Sequence, residues 1–117
     1  MKLGEKIYHC KRLIDDEGMV SYAYPQEIVL QLRHCTVQPE SGFTSLLQYG
    51  EKINDYQKMI LQPYERWFGK VEEGDLFYLD GAKPLPLETE NGAFANYEVD
   101  SVSNQNMVIV VKLKRRP

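Results

Sequence analysis

The stretch 67–81 constrains the fold most, because turn residues and apolar residues alternate in it at short intervals. Gly74 and Asp75 follow two glutamates where the chain must reverse, since glycine adopts positive φ without strain and aspartate bonds nearby backbone. Residues 76–79 are aromatic and aliphatic, as in a short strand, and an Asp-Gly pair at 80–81 closes it. This spacing predicts a strand, a tight turn, a second strand and a second turn. Short strands separated by tight turns are typical of a small β-barrel or sandwich.

Turn residues separate short apolar segments along the rest of the chain as well. The chain has 117 residues, which suits one domain, residues 1–117, with a modest core. We therefore predict a mainly β fold, a small antiparallel β-barrel or sandwich of about six to seven strands with one short helix and a long loop. The predicted strands are residues 6–14, 19–24, 27–37, 56–71 with an interruption at Pro63, 76–79, 96–102 and 107–114.

The segment 41–55 is the least strand-like part of the chain. Phe43, Leu46 and Leu47 have helical spacing, which indicates a short helix, but the segment is equally typical of a long ordered loop. A small domain cannot easily bury these side chains on an excursion, so we expect the segment to order on assembly. The candidate assembly interface is Phe43, Leu46, Leu47, Tyr49 and Tyr56.

The C-terminal residues predict a hairpin with a four-residue loop at 103–106. Five consecutive apolar residues at 107–111 indicate an interior strand that is covered on both faces. We expect Val99, Val108 and Val110 to be largely buried. Of the eight tyrosines in the chain, Tyr78 and Tyr97 are the ones expected in the core.

The net charge of −3 and the pI of about 5.4 argue against a domain that coats nucleic acid. Basic residues nevertheless concentrate at the C-terminus, where four of the 14 lie: Lys112, Lys114, Arg115 and Arg116. This basic tail is either a solvated, fraying end or a contact for phosphates or an acidic partner. Attraction of this tail to DNA would be strongly sensitive to salt.

Two His-Cys dipeptides, at 9–10 and 34–35, have the residue types of a zinc site. Each lies in a predicted strand, where neighbouring side chains point to opposite faces, and the usual ligand spacing is missing. Buried cysteines and hydrogen-bonded histidines are therefore the better interpretation. A Cys–His nucleophilic pair lacks the electropositive setting that activates a thiol.

The acidic clusters at 15–17 and 72–75 fall at predicted turns, where solvated carboxylates are ordinary, and neither has calcium-loop spacing. No glycine-rich phosphate loop is present in the sequence. We therefore predict no catalytic, cofactor-binding or metal-ligating residue, and no enzyme activity. The sequence also shows no secretion signal and no apolar run of about 18 residues, which favours a cytoplasmic protein with free thiols and no membrane contact.

Residues 70–116 resemble the small neck proteins of tailed bacteriophages and prophages, of the head–tail connector or head-closure type. The resemblance lies in Gly74-Asp75 before a hydrophobic strand, in the Tyr97, Val99 and Val102 pattern, and in the terminal Val111 and Leu113. Residues 33–64 also look like minor structural proteins encoded beside prophage capsid genes.

The resemblance implies a β-barrel that forms a homo-oligomeric ring on the portal or adaptor and helps to retain packaged DNA. Its partners would be portal, adaptor or tail proteins, and it would occupy the bacterial cytoplasm during assembly and then the virion. It implies no catalytic residue. The alternative, from a different class, is a small β-barrel binding module that recognises peptide or single-stranded nucleic acid on an aromatic face.

Overall fold

The computed structural model describes residues 4–31, 34–39, 56–84, 90–105 and 107–116, and these form a mainly β fold. The predicted fold class is confirmed. The strands are Lys6–Cys10 (β1), Arg12–Ile14 (β2), Val20–Tyr22 (β3), Gln26–Val29 (β4), Cys35–Pro39 (β5), Tyr56–Leu61 (β6), Leu76–Tyr78 (β7), Tyr97–Gln105 (β8) and Val108–Arg115 (β9), and one helix covers Tyr64–Trp67 (α1).

In the part of the chain that the structure describes, seven strands form one antiparallel sheet in the order β4-β1-β7-β8-β9-β6-β5, and β2 pairs only with β3 in a separate hairpin. The two edge strands of the large sheet, β4 and β5, are consecutive in the described chain. They meet at one antiparallel bridge, where Gln31 and Cys35 exchange two backbone hydrogen bonds of 3.0 Å. The sheet therefore curls until its edges approach each other, without a continuous ladder between them among the described residues.

The core lies on the inner face of this curled sheet. Alternate residues of successive strands reach it, as the period of two requires, and Ile7, Met59, Phe77 and Val111 are each fully buried. Burying a side chain of this size stabilises a fold by about 1.5–3 kcal/mol. Tyr97 belongs to this core, whereas Tyr78 lies in a second buried cluster with Cys10, Leu76 and Ala95, on the face of β7 opposite to Phe77. Both tyrosines are therefore buried as predicted.

A β-bulge changes which residues of β8 face inward. Val99 pairs with Leu113 but Ser101 pairs with Lys112, so Asp100 is an extra residue on β8. Because a shift of one residue exchanges the two faces of a strand, Val99 points into the core before the bulge and Val102 lies on that side after it.

The C-terminal hairpin is confirmed as an interior pair, but two of its predicted details are wrong. The loop was predicted at 103–106, but residues 103–105 belong to β8 and Gln105 pairs with Val108. The connection between the two strands is therefore shorter than four residues. Ile109, Val111 and Leu113 are buried, whereas Val108 and Val110 are only half-buried, because their face of β9 lies outside the curled sheet. Val99 is buried as predicted.

Three other predicted strands differ from the structure. Residues 6–14 form two strands with a break at Lys11, and residues 27–37 form two strands because the chain turns between Gln31 and Cys35. Residues 64–71 begin with a helical turn, and Pro63 precedes it as the N-cap in the extended backbone conformation that is usual there. The predicted long segment 41–55 lies outside the described residues.

Candidate functional sites

The β2–β3 hairpin carries an unusual concentration of exposed apolar side chains. Leu13, Ile14, Met19 and Val20 are 47–65% exposed, and they are four of the eight large apolar residues that are exposed in the described part of the chain. Ile14 and Val20 are directly paired across the two strands. Leu13, one residue away from Ile14 in β2, points to the opposite face, so the hairpin exposes apolar side chains on both of its faces. Such an uncovered hairpin is a candidate surface for contact with another molecule.

The turn of this hairpin is well ordered by its own hydrogen bonds. The Asp15 carboxylate accepts hydrogen bonds from the backbone N–H groups of Glu17 and Met19, at 2.9 and 2.8 Å. Gly18 has a φ of +83°, which a residue with a Cβ rarely adopts, and its N–H donates to the Asp15 carbonyl. The acidic cluster 15–17 is exposed, so the hairpin has a negatively charged tip between apolar strands.

A buried carboxylate fixes the base of the hairpin. Asp75 is fully buried, and its Oδ1 accepts a hydrogen bond of 2.9 Å from the backbone N–H of Arg12, the first residue of β2. Its Oδ2 accepts one of 3.0 Å from the N–H of Glu72 and lies 2.8 Å from His9 Nε2. The backbone N–H of Arg12 donates to this side chain and not to a strand of the main sheet. β1 therefore ends here, and β2 leaves the main sheet.

The surroundings of Asp75 favour its charged form. Burial alone would raise the pKa of the Asp75 carboxyl, but the hydrogen bonds with His9, Arg12 and Glu72 outweigh it and hold this pKa below its ordinary value of 3.8. The interpretation of the 72–75 cluster as solvated turn acids is therefore wrong for Asp75, although the turn itself is present. His9 also stacks on Phe77, with ring centroids 4.8 Å apart, so both partners of the pair are held in place.

Gly74 allows this arrangement to be compact. Its φ is +91°, and a Cβ at this position would lie 2.9 Å from the Arg12 guanidinium carbon. A side chain here would strain the backbone and displace Arg12. The Gly74-Asp75 pair is thus a turn, as predicted, and also the point where the hairpin is attached.

A groove of about 630 Å³ opens beside the base of the hairpin. Its lining combines the aromatic side chains of Tyr24 and Trp67 with three cations, Lys11, Arg66 and Lys70, and one anion, Glu27. The Arg66 guanidinium lies over the Trp67 ring, 5.5 Å from its centroid, and 3.4 Å from His34 Nδ1. On a chain with a net charge of −3, this groove is a local region of positive charge.

The cations of the groove are not equally available to a ligand. Lys11 Nζ lies 3.2 Å from a Glu72 carboxylate oxygen and 3.8 Å from an Asp75 oxygen, so its charge is already compensated. Arg66 and Lys70 are exposed and have no ion pair within the described residues. They are the side chains that an anionic partner would meet.

Of the residues that the sequence predicted as an assembly interface, the structure describes only Tyr56. Tyr56 is the first residue of β6, where it is half-buried and pairs with Lys114. Phe43, Leu46, Leu47 and Tyr49 lie outside the described residues, so the interface stays a prediction. The hairpin and the groove were not predicted as sites, because no sequence pattern shows that an apolar strand pair is left uncovered.

The basic C-terminal residues are held in the fold as far as Arg116. Lys112, Lys114 and Arg115 belong to β9, and the Arg116 guanidinium donates hydrogen bonds of 2.9 Å to the carbonyl oxygens of Gly92 and Ala95. The prediction that this end of the chain frays is therefore wrong for these residues. Lys114 and Arg115 are exposed, and their contact with phosphates or an acidic partner stays a prediction.

Cys10 and Cys35 are buried, and neither takes part in a disulfide among the described residues. Burial raises the pKa of the Cys35 thiol to about 12, which leaves almost no reactive thiolate at neutral pH.

The described residues contain no group of three or more His, Cys, Asp or Glu side chains that could hold a metal ion. They also contain no helix long and apolar enough to span a membrane.

Comparison with known proteins found no matching family model, no matching curated protein and no matching solved structure.

Proposed function

We propose that this chain is a structural component of a phage or prophage particle, a head–tail connector or neck protein that assembles as a ring. The observation that carries the proposal is the β2–β3 hairpin, which holds four exposed apolar side chains on an ordered support. A surface of this kind suits a protein whose role is to contact other subunits. The sequence resemblance over residues 70–116 and the mainly β fold agree with this class.

The role that we propose is non-enzymatic, and its partners are copies of the chain and the portal, adaptor or tail proteins. Asp75 and His9 have a structural task in this account, because the carboxylate secures the base of the hairpin through two backbone amides. The exposed Lys114 and Arg115 could contact packaged DNA without reading its sequence.

Deletion of the reading frame from its phage or prophage genome tests this proposal. We expect capsids to form, but to lose their DNA or to lack attached tails, and we expect the wild-type gene supplied on a plasmid to restore them. Infectious particles at the normal yield in the deletion strain would contradict the proposal.

A second candidate function is a small binding module for peptide or single-stranded nucleic acid. The groove favours it, because Trp67 and Tyr24 lie beside Arg66 and Lys70, the combination that stacks bases and holds a backbone. Trp67 is the only tryptophan of the chain, so its fluorescence reports on the groove directly. Quenching by a thymidine oligonucleotide that disappears as salt is added would support this function over the first.

A further inference from the structure

We propose that the acidic tip of the β2–β3 hairpin of one copy docks in the basic groove of a second copy. This inference rests on the proposed ring assembly and names the surfaces that form it. The tip consists of Asp15, Asp16 and Glu17, and the groove is the one that Trp67, Arg66 and Lys70 line.

The two surfaces have opposite charge. The tip has three successive carboxylates, and all three are exposed. The groove lining has three cations and one anion. Because Lys11 is already paired within its own chain, Arg66 and Lys70 are the cations that meet the tip. Complementary charge of this kind selects a partner and sets its orientation.

The two surfaces also match in their apolar parts. Ile14, Met19 and Val20 flank the acidic tip, and Trp67, Tyr24 and Ile28 line the groove between its polar groups. The turn of the hairpin is already held by the Asp15 carboxylate. Docking therefore orders little additional backbone, which lowers the entropic cost of association.

The tip and the groove are different patches of one molecule. Among the described residues, the groove is lined near the hairpin only by its base, Lys11, Ala23 and Tyr24, and by no residue from 15 to 20. The tip therefore does not occupy its own groove. A contact between two different patches of identical subunits is heterologous, and it generates a ring when the rotation between neighbours closes.

Cross-linking between two single-cysteine variants tests this contact. Asp16→Cys is prepared with one tag and Gln26→Cys, at an exposed and uncharged position of the groove lining, with a tag of a different size, and the two are mixed under mild oxidation. Both natural cysteines are buried, so they contribute little background. The matched control is Lys83→Cys, which is exposed and lies outside the groove lining.

We expect the Asp16→Cys chain to cross-link to Gln26→Cys about tenfold more than to Lys83→Cys, since a docked tip raises the effective concentration of the pair. Equal yields with the two partners, or no yield with either, would overturn the inference.

A charge exchange then tests whether the pairing is specific. Glu17→Lys in the tip chain and Arg66→Glu in the groove chain should each lower the cross-link yield, and the two together should restore it. If the double exchange lowers the cross-link yield by the sum of the two single effects and does not restore it, the inference is overturned. Retained melting temperatures verify that the variants are folded.

The outcomes separate this inference from the proposed function. A chain that is required for tailed particles but gives no specific cross-link is a connector with another contact. A chain that cross-links specifically but is dispensable for particles is a self-assembling protein of a different role. Trp67 quenching by an oligonucleotide, without any cross-link, would assign the groove to nucleic acid and overturn the docking.

Discussion

At the scale of single residues, Asp75 connects the main sheet to the hairpin. Its two oxygens receive hydrogen bonds from the amides of Arg12 and Glu72 and from His9, all at 3.0 Å or less. The carboxylate replaces the ladder partner that Arg12 would otherwise need. The exposed hairpin therefore depends on one fully buried side chain.

Asp75→Asn tests this role. The amide nitrogen would face N–H donors where an oxygen now accepts, so we expect the free energy of unfolding to fall by about 2–4 kcal/mol. Glu73→Gln, at an exposed neighbouring position, is the matched control and should change it by less than about 0.5 kcal/mol. Equal effects of the two substitutions in denaturant melts would refute the role.

The pH dependence of the same pair of proteins gives a second readout. Because the pKa of Asp75 is lower in the folded state than its ordinary value of 3.8, ionised Asp75 stabilises the fold above that value. As the pH falls through the folded pKa, the carboxyl is protonated and this contribution is lost. We expect the stability difference between wild type and Asp75→Asn to be constant near neutral pH and to shrink only below about pH 4.

At the scale of elements, β9 is an interior strand whose two faces differ in burial. Ile109, Val111 and Leu113 face the core, whereas Val108 and Val110 lie half-buried on the outside. Ile109→Ala should lower the free energy of unfolding by about 2–5 kcal/mol, because it leaves a cavity in the core. Val110→Ala, one position along, should cost clearly less in the same denaturant melts, and a larger loss from it would invert the assignment of the faces.

The hairpin is the element that should matter for assembly and not for folding. Replacing Ile14 and Val20 by Ser removes apolar area that is 59% and 51% exposed, so the melting temperature should change little. Incorporation into particles should fall strongly, because the substitution makes the docking surface polar. Normal incorporation of this variant would show that the hairpin is not an interface.

The sequence predicted the fold class because period-two patterns and glycine turns are local signals. Gly18, Gly74 and Gly81 all adopt positive φ at predicted turns. The break at Lys11 and the burial of Asp75 could not be predicted, since they depend on contacts such as His9 to Asp75, 66 residues apart in the chain. The exposure of Leu13 and Ile14 likewise depends on where β2 leaves the sheet, which no local pattern encodes.

At the scale of the whole molecule, a curled antiparallel sheet carries an exposed hairpin and a basic groove. The sheet provides the core, Asp75 fixes the hairpin, and the tip and groove supply surfaces of opposite charge. Identical subunits with such surfaces can extend contacts from one neighbour to the next. This is the property that a neck ring requires.

Quantitative mass spectrometry of purified phage or prophage particles tests the central claim most directly. We expect the chain to be present at a fixed ratio to the portal protein through successive purification steps, as a ring component must be. Complete, tailed particles that contain portal protein but none of this chain would contradict the account.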